Sequence, residues 1–463
     1  MIDAFHLPGL RDFPTTTWPF GEGESALELR IPQLTPALLR EQVRALAQAR
    51  ERWLVDRPVD EIIGVIDRVA ARLLDGADPL RQTAERALPA ITRYSPAMIG
   101  RVLDRMAADW RADRLHALLS AEIGDRRLLD GFAQVPDGRG RTMAVGPRLA
   151  AHVFSGNVPG VAVTSLVRAL LVKSASLGKT AQGEPLLPAL FARAVAEEDA
   201  ELGACLAVTY WPGGDVEMER AALEQADAVI AYGGRAAIEA IRAQAPPAAR
   251  FLGYGPRLSF GVVGRSRLNA GSAEEAARAA ALDASTFDQQ GCVSPHVFYV
   301  EEGGAVSPSE WAALLAPAME AVERELPRGP LAPGEASAIR QLRGEAEFGA
   351  GVELHASDPG TAWTVIYDPE PAFEASCLNR VVRVKPVASL ADVPALMAEY
   401  GEVLQTVGIA AGAEETEALA VALGRLGASR LSPLGEMAWP PPWWHHDGLP
   451  PLRALLRWCD LEG

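Results

Sequence analysis

The sequence contains few cysteines and no paired cysteine motif. Cys205, Cys292, Cys377 and Cys459 lie far apart in a chain of 463 residues. Without a Cys-x-x-Cys pair, the pattern argues against a disulfide framework and against a zinc ribbon. We therefore expect a protein of a reducing compartment, the cytoplasm.

Long apolar runs and targeting segments are also absent. The first residues show no basic segment followed by an apolar run, so we expect no secretory signal. The longest apolar stretch, residues 158–172, is interrupted by Arg168 and closed by Lys173. Because this stretch is too short to cross a bilayer, we expect no membrane span.

Positive charge is scarce relative to negative charge. Lys and Arg number 44 against 60 Asp and Glu, which gives a formal net charge of -16. Such a surface repels polyanions and argues against nucleic acid as a partner. A small anionic ligand can still bind through local cations and backbone amides, so phosphate-bearing cofactors remain open.

The first third of the chain is predicted to be helical. Apolar residues recur at three- and four-residue spacing over residues 36–53, 59–74 and 96–119. No residue in this region stands out chemically. We expect it to serve as scaffold and as part of a subunit interface in a homo-oligomer.

After a predicted tight turn at residues 136–140, short β-like runs alternate with helical ones. This alternation is typical of βαβ units with a parallel sheet, hence of an α/β fold. The predicted strands are residues 149–154, 170–173, 206–211, 228–232 and 258–263, separated by a helix between the first two and by helices at 184–196, 216–225 and 236–245. A second α/β segment begins near residue 273, with strands at 296–301, 351–355, 363–367 and 380–384, helices at 308–325 and 392–403, and a surface loop at 327–333. We place the domain boundary near Gly264.

Cys292 is the candidate nucleophile. It lies in the run Gln289-Gln290-Gly291-Cys292-Val293-Ser294-Pro295, where a small residue before the cysteine and a proline after it describe a turn out of the preceding helix. A turn of this kind can present a thiol to a cleft, where a lowered pKa would make it reactive. On these residues alone, a buried cysteine packed as a small hydrophobe is the alternative.

This run resembles the active-site cysteine segment of the aldehyde dehydrogenase superfamily. Gln289-Gln290-Gly291-Cys292 followed by Ser294-Pro295 is especially similar to the fatty acyl-CoA reductases of bacterial luminescence, the LuxC-type branch. Further similar segments occur in the superfamily's order over about residues 128–460. They are Gly156-Asn157-Val158-Pro159, Lys173 with Ser174-Ala175-Ser176, Trp211-Pro212-Gly213-Gly214, and Ile230-Ala231-Tyr232-Gly233-Gly234.

The resemblance implies a fold and a domain organisation. The fold is aldehyde dehydrogenase-like, with two parallel-sheet α/β domains and a helical N-terminal region. Residues 1–130 would be that helical region, as part of the cofactor domain. Residues 131–263 would form the dinucleotide-binding domain and residues 264–440 the catalytic domain. Residues 441–463 would pack near the active site.

The resemblance also implies roles for individual residues. Cys292 would be the nucleophile, and Asn157 would donate a hydrogen bond to the oxyanion. Lys173 would contact the cofactor ribose at the end of a strand. Gly213, Gly233 and Gly234 would line the nicotinamide cofactor, although a Gly-x-Gly-x-x-Gly fingerprint is missing, as it is throughout the superfamily.

One departure from the superfamily bears on the reaction. Hydrolytic aldehyde dehydrogenases carry a glutamate base upstream of the cysteine, but no carboxylate occurs from Ala240 to Ala273. Without that base, water attack on a thioacyl enzyme is slow, and a thiol or a hydride must resolve the intermediate. The alternative is a base from elsewhere, for instance His296 or Glu374.

A second departure bears on the cofactor. The superfamily's ribose-binding glutamate, three positions after the lysine, is replaced by Ser176. Loss of that carboxylate removes repulsion against a 2′-phosphate, so NADPH is preferred over NADH. Lys179 or Arg235 could supply positive charge. Glu374 is a candidate for a second ribose-binding carboxylate, with surface charge as the alternative.

The C-terminal run Trp443-Trp444-His445-His446-Asp447-Gly448 resembles the His-Asp-Gly segment of the acyl-CoA reductase branch. Trp444, His445 and His446 could line the acyl channel or supply a proton, or form a packed aromatic turn. Adjacent histidines are a poor metal set, and we expect no metal. The remaining cysteines, 205, 377 and 459, lie in apolar runs and are predicted to be core residues.

The sequence thus predicts reduction of an acyl thioester, from medium- or long-chain acyl-CoA, an acyl carrier or an acylated protein, to an aldehyde. Two alternatives stay open. One is the reverse reaction, oxidation of an aldehyde to an acyl-CoA. The other is a cysteine-dependent acyltransferase that uses no redox cofactor.

Overall fold

The computed structural model describes residues 1–23, 26–134 and 140–462, so residues 136–139 of the predicted turn lie outside them. The chain divides into two compact units. The first comprises Met1–Thr92, Ile99–Gly255 and Pro441–Gly463, and the second comprises Arg93–Met98 and Pro256–Pro440. The boundary predicted near Gly264 is therefore wrong. It falls at Gly255–Pro256, because the strand that follows pairs inside the sheet of the second unit.

The N-terminal region is less purely helical than predicted. Its helices are α1 (Pro36–Trp53), α2 (Val59–Leu74), α3 (Pro79–Thr92), α4 (Pro96–Asp109) and α5 (Ala112–Glu122). The predicted bounds of α1 and α2 are confirmed. At the start of α1, the Thr35 hydroxyl accepts from the Leu38 amide at 3.3 Å and Pro36 occupies the first turn. The helix predicted over residues 96–119 is two helices, broken at Trp110 and Arg111.

Three short strands precede these helices and were not predicted. They are β1 (Ile2–Asp3), β2 (Thr15–Phe20) and β3 (Leu27–Pro32), in the order β1-β3-β2. β2 alternates between exposed and half-buried residues, as expected of a strand with one solvent face.

The main sheet of the first unit has five strands and is parallel, and the parallel arrangement was predicted. Its strands are β6 (Leu149–Val153), β7 (Ala175–Lys179), β8 (Leu206–Thr209), β9 (Ala228–Tyr232) and β10 (Arg250–Tyr254), in the order β10-β9-β6-β7-β8. Strands β7 and β10 were not predicted: the predicted strand at residues 170–173 is the end of a helix and the turn after it, and the predicted strand at residues 258–263 belongs to the second unit. The helices of the first unit are α6 (Val161–Leu171), α7 (Leu187–Glu198), α8 (Ala200–Gly203), α9 (Val216–Leu223) and α10 (Arg235–Gln244). The strand order reverses between β6 and β9. In open α/β sheets, ligands bind beyond the carboxyl ends of the strands at such a point.

The second unit carries a seven-stranded sheet in the order β13-β14-β15-β12-β11-β16-β17. The strands are β11 (Leu258–Val263), β12 (Pro295–Glu301), β13 (Glu353–Ala356), β14 (Thr364–Tyr367), β15 (Val381–Val387), β16 (Leu404–Ala410) and β17 (Arg430–Pro433). Only the β13–β14 pair of this sheet is antiparallel within the described residues. Two of its strands, β16 and β17, were not predicted.

The helices of the second unit are α11 (Ser272–Ser285), α12 (Pro308–Glu325), α13 (Pro333–Glu347), α14 (Val393–Leu396) and α15 (Ala413–Leu426). The helix predicted over residues 392–403 is wrong as a single element, since only α14 is α-helical and short 3-10 turns flank it. The sheet packs against two buried apolar clusters. Trp311 and Phe298 belong to one cluster, and Phe260 and Tyr299 to the other.

A small antiparallel sheet joins the C-terminus to the first unit. It contains β4 (Ala133–Gln134), β5 (Arg141–Val145) and β18 (Arg457–Leu461), in the order β18-β5-β4. β18 is exposed along its length, so the prediction of Cys459 as a core residue is wrong. Across the described residues, no helix is both long enough and apolar enough to cross a membrane.

Candidate active site

The Cys292 turn, residues 286–294, connects α11 to β12. Its first part adopts a left-handed backbone at three consecutive non-glycine residues, Phe287, Asp288 and Gln289, with φ of 56°, 48° and 65°. Such a conformation costs on the order of 1–3 kcal/mol per residue and persists only where the surroundings fix it. Cys292 is half-buried at the end of this turn.

Gln289 ties the turn to two strands. Its side chain is fully buried. The amide nitrogen donates to the carbonyls of Pro295 at 2.7 Å and Val381 at 2.8 Å, and the amide oxygen accepts from the Val381 amide at 2.9 Å. The glutamine therefore fixes the turn against the starts of β12 and β15.

Asp288 binds a buried arginine that sequence reasoning missed. Arg380 is 0% exposed. Its Nε and Nη2 atoms donate to Asp288 Oδ1 at 3.0 and 2.6 Å, and its Nη1 atom donates to Glu323 at 2.6 Å. No pattern in the sequence marks Arg380, because its partner Asp288 lies 92 positions away.

The main chain of the nucleophile is fixed from a second side. The Ser259 hydroxyl on β11 donates to the Cys292 carbonyl at 2.7 Å and accepts from the Thr406 amide at 3.1 Å. The Cys292 carbonyl, and with it the turn, is thus held by β11 and β16, two neighbouring strands of the sheet. This arrangement restricts the positions that the Cys292 thiol can occupy.

Two candidate bases of the second unit have ordinary structural partners. His296 Nδ1 accepts from the Ser376 amide at 3.1 Å, and burial lowers the pKa of His296 to about 4. Its ring is therefore neutral near pH 7. The half-exposed Glu374 accepts from Arg383, so its role as a ribose-binding carboxylate stays a prediction.

In the first unit, Asn157 lies in the exposed loop between β6 and α6. The loop packs closely at Gly156, where a Cβ atom would lie 3.0 Å from the Glu184 amide nitrogen. Asn157 follows the carboxyl end of β6, the central strand at the point where strand order reverses. Its position fits a ligand-contacting residue.

Glu184 lies just before helix α7 and beside that loop. Its Oε1 atom accepts from the amides of Leu186 at 2.9 Å and Leu187 at 2.7 Å, and burial raises the pKa of Glu184 to about 7. The folded state thus holds the proton more tightly than the unfolded state, for which the pKa is near 4.5. Protonation of Glu184 therefore contributes to the free energy of unfolding. This contribution is fully present below the unfolded pKa of 4.5 and is lost as the pH rises through the folded pKa of about 7.

We therefore expect Glu184→Gln, which keeps the accepting Oε1 and removes the charge, to unfold at the same temperature as the wild type near pH 4.5. At pH 8 the variant should be more stable by about 3 kcal/mol. Thermal unfolding across this pH range measures the difference. The exposed Glu417→Gln serves as the control, and an equal gap at both pH values for Glu184→Gln would contradict the expectation.

The placement of Lys173 at the end of a strand is wrong. Helix α6 runs to Leu171, so Lys173 precedes β7 and stands in a left-handed turn with φ of 58°. Its Nζ atom binds Asp130 at 2.8 Å and the Val55 carbonyl at 3.1 Å. Ser176, expected to replace the ribose-binding glutamate, is buried inside β7, 3.2 Å from His152 Nε2.

Lys179 is the residue that ends β7. Its ammonium lies 5.5 Å from the ring centroid of Trp211, and burial lowers the pKa of Lys179. Among residues 1–23, 26–134 and 140–462, none accepts a hydrogen bond from it. A nine-tenths-buried cation in this state favours an anionic or hydroxyl ligand.

Glycine loops surround the same sheet edge. Gly213 and Gly214 follow β8, while Gly233 and Gly234 follow β9. A Cβ atom added at Gly213, Gly214 or Gly234 would meet no atom within 4 Å. These loops therefore leave open space beyond the carboxyl ends of the strands.

The C-terminal segment contributes a column of stacked rings in the first unit. The ring centroids are 4.8 Å apart for Tyr232 and Tyr254, 4.4 Å for Tyr254 and His446, and 4.8 Å for His446 and Trp444. Because Tyr232 and Tyr254 end β9 and β10, the column lies at the carboxyl edge of the sheet. His445 is exposed instead and lies 3.7 Å from Glu122. Within the described part of the chain, no three His, Cys, Asp or Glu side chains form a metal-binding group.

A model of the acyl-CoA reductase (LuxC) family matches residues 54–458. The chain belongs to the acyl-CoA reductase family. The reductase is 26% identical over 414 residues to a long-chain acyl-protein thioester reductase of Aliivibrio fischeri, covering 87% of this chain and 82% of that protein. The enzyme of that name from Vibrio harveyi is 25% identical over 421 residues, with coverage of 89% and 84%.

Solved structures share the fold of this chain. An NAD-dependent benzaldehyde dehydrogenase from Corynebacterium glutamicum superposes with a TM-score of 0.75 at 14% identity, covering 99% of this chain and 98% of that one. An NADP-dependent glyceraldehyde-3-phosphate dehydrogenase from Bacillus halodurans C-125 gives 0.71 at 15% identity, with coverage of 97% and 96%. The predicted aldehyde dehydrogenase-like fold and the prediction of an oxidoreductase for acyl thioesters are confirmed.

The structure groups the predicted site residues of the reductase within each unit. In the first unit, Asn157, Gly213, Gly233 and Gly234 all follow the carboxyl ends of strands of one sheet. Trp444 and His446 join that edge, whereas His445 points elsewhere and Lys173 and Ser176 lie in the interior.

Proposed function

We propose that this reductase converts an acyl thioester to an aldehyde through a thioacyl intermediate on Cys292. The observation that carries the proposal is the immobilised Cys292 turn, held by Gln289 through three hydrogen bonds and by Ser259 through one. A nucleophile held in one geometry reacts with a lower entropic barrier. The other cysteines are not held in this way. Burial raises the pKa of both Cys205 and Cys377, whereas Cys459 lies on an exposed strand.

The Cys292 thiolate would attack the thioester carbonyl, and the donor would leave as a thiolate, which takes a proton from solvent, as the thioacyl bond forms. Because residues 240–273 contain no carboxylate, no side chain from that segment can activate water against the thioacyl bond. When bound, the nicotinamide supplies the hydride that reduces the thioacyl carbon. The C–S bond of the resulting thiohemiacetal on Cys292 would then break, which would release the aldehyde and return Cys292 to its thiolate form. The oxyanion role of Asn157 and the proton-donor role of His446 stay predictions, as does self-association.

The acyl donor that we propose is a long-chain acyl group carried as a thioester on a protein. The shared name of the Aliivibrio and Vibrio relatives, long-chain acyl-protein thioester reductase, supports this choice. Coenzyme A as the carrier is the alternative. Both donors present the same carbonyl to Cys292.

For the cofactor we propose NADPH, with Lys179 as the residue that holds its ribose or 2′-phosphate. The residue three positions after Lys179 is the neutral Gln182, so no carboxylate at that position repels a 2′-phosphate. Glu219 lies near Lys179, but its carboxylate already accepts from the Gly214 amide at 3.1 Å and from Gln244. No acceptor for the buried ammonium occurs in the part of the chain that the structure describes, and an anionic group would fit it.

The proposal is tested by following NADPH oxidation and aldehyde formation with long- and short-chain acyl-CoA and with a long-chain acylated protein. We expect equal amounts of NADP⁺ and aldehyde, with the acylated protein as the faster donor. Acylation of Cys292 without nicotinamide oxidation would identify an acyltransferase instead. Faster turnover from aldehyde, thiol and NADP⁺ at matched concentrations would identify the reverse reaction.

A further inference from the structure

We propose that Arg380 is a positioning residue for the Cys292 thiol. The inference rests on the proposed function, since it concerns the nucleophile of that reaction. Two left-handed segments pair in the second unit. Phe287, Asp288 and Gln289 form one, and Leu378, Asn379 and Arg380, with φ of 65°, 59° and 65°, form the other. Six non-glycine residues in this conformation need strong local restraints.

The restraints are side-chain bonds that link one segment to the other. Arg380 donates twice to Asp288 Oδ1, at 3.0 and 2.6 Å, and the side-chain amide Nε2 of Gln290 donates to Asn379 Oδ1 at 3.0 Å. Gln289 binds both the amide and the carbonyl of Val381, the residue after Arg380. The two left-handed segments are therefore cross-linked by side-chain hydrogen bonds. Cys292 follows shortly after Gln289, the last residue of the first segment.

Hydrogen bonds and ion pairs around Arg380 fix the position of the Asp288 side chain. The second oxygen of Asp288 accepts from the Gly329 amide at 3.1 Å. Glu323 accepts from the third guanidinium nitrogen at 2.6 Å and from the Arg328 amide at 3.1 Å. Loss of Arg380 would leave the Asp288 carboxylate buried without its ion pair, and Asp288 would move or take up a proton. Either change would release the turn that ends in Cys292.

Another buried ion pair lies on β15, the strand that begins directly after Arg380, and provides a matched comparison. Lys385 on β15 is 1% exposed and binds Asp368 at 2.6 Å. Within the described residues, neither side chain forms a hydrogen bond or an ion pair with the Cys292 turn. Substitution of Lys385 thus separates the general cost of breaking a buried ion pair from any effect on the thiol.

The test compares Arg380→Met, Arg380→Lys and Lys385→Met. The rate of Cys292 alkylation by iodoacetamide is followed by peptide mass spectrometry, alongside kcat for thioester reduction and the Kd for NADPH. We expect Arg380→Met to slow alkylation about fivefold and lower kcat about tenfold, with the NADPH Kd within about twofold of wild type. Arg380→Lys should recover part of both rates. Lys385→Met should lower the unfolding temperature without slowing alkylation.

Two outcomes would overturn the proposal. One is an alkylation rate within twofold of wild type for Arg380→Met, and the other is equal slowing by Lys385→Met. If Arg380→Met does not fold, Asp288→Asn, which weakens the same ion pair, is expected to slow alkylation to a similar extent. Because alkylation needs neither substrate nor cofactor, its result is independent of whether the proposed reaction occurs.

Discussion

Replacing Cys292 by alanine is expected to lower kcat for thioester reduction by about a thousandfold or more, since loss of a nucleophile removes the covalent route itself. The side chain is half-buried and small, so the change should cost little stability. The Kd for NADPH should stay within about twofold of wild type. Single-turnover assays with a radiolabelled acyl thioester would show no label on the variant, whereas the wild type would carry a labelled thioacyl enzyme.

Cys377→Ala is the matched control for Cys292→Ala. Cys377 belongs to the same unit and is also half-buried, but burial raises the pKa of its thiol. We expect Cys377→Ala to keep both labelling and turnover. Residual turnover near the wild-type rate in Cys292→Ala would show that the reaction does not pass through this thiol.

The sheets of the protein were predictable because parallel strands are buried on both faces. β9 and β11 show near-continuous apolar runs, and their bounds were predicted as observed. Two of the strands that were missed, β2 and β18, have a different environment. β2 contains Pro19 and three threonines and is half-exposed, so it lacks that signal. Strand β18 is exposed throughout and depends on pairing with β5 from the distant residues 141–145.

The error at Lys173 has a local physical cause. The run Leu170-Leu171-Val172 suits a buried strand and a buried helix equally, and sequence periodicity cannot separate the two in so short a run. In the structure, α6 continues through Leu171, and the lysine that ends the strand is Lys179. Lys173 was therefore placed at a strand end that Lys179 occupies in the structure.

The Cys292 turn shows the limit of local reasoning. Its glycine and proline predicted a turn, and the motif predicted the nucleophile. The groups that restrain the turn come from β11 and from the segment before β15, 33 to 92 positions away. Such partners meet only when the sheet assembles. No local pattern could therefore have identified Ser259 or Arg380.

Substitution of Lys179 by methionine is expected to raise the Kd for NADPH by about 10- to 100-fold, because a hydrogen bond to a charged group contributes about 1.5–3 kcal/mol. Methionine preserves the apolar stem against Trp211 and removes only the ammonium. If the ammonium binds the 2′-phosphate, the loss should be larger for NADPH than for NADH. Fluorescence titration of each reduced cofactor measures both constants without turnover.

Lys173→Met separates the two lysines. Its ammonium binds Asp130 and the Val55 carbonyl, so its loss should lower the unfolding temperature and leave the Kd for NADPH within about twofold of wild type. The opposite result, weaker cofactor binding in Lys173→Met than in Lys179→Met, would return the cofactor role to Lys173. Equal affinity of Lys179→Met and wild type for both cofactors would place the cofactor away from β7. Comparison of the two variants therefore decides whether the nucleotide binds beside Lys173, before β7, or beside Lys179, at the carboxyl end of β7.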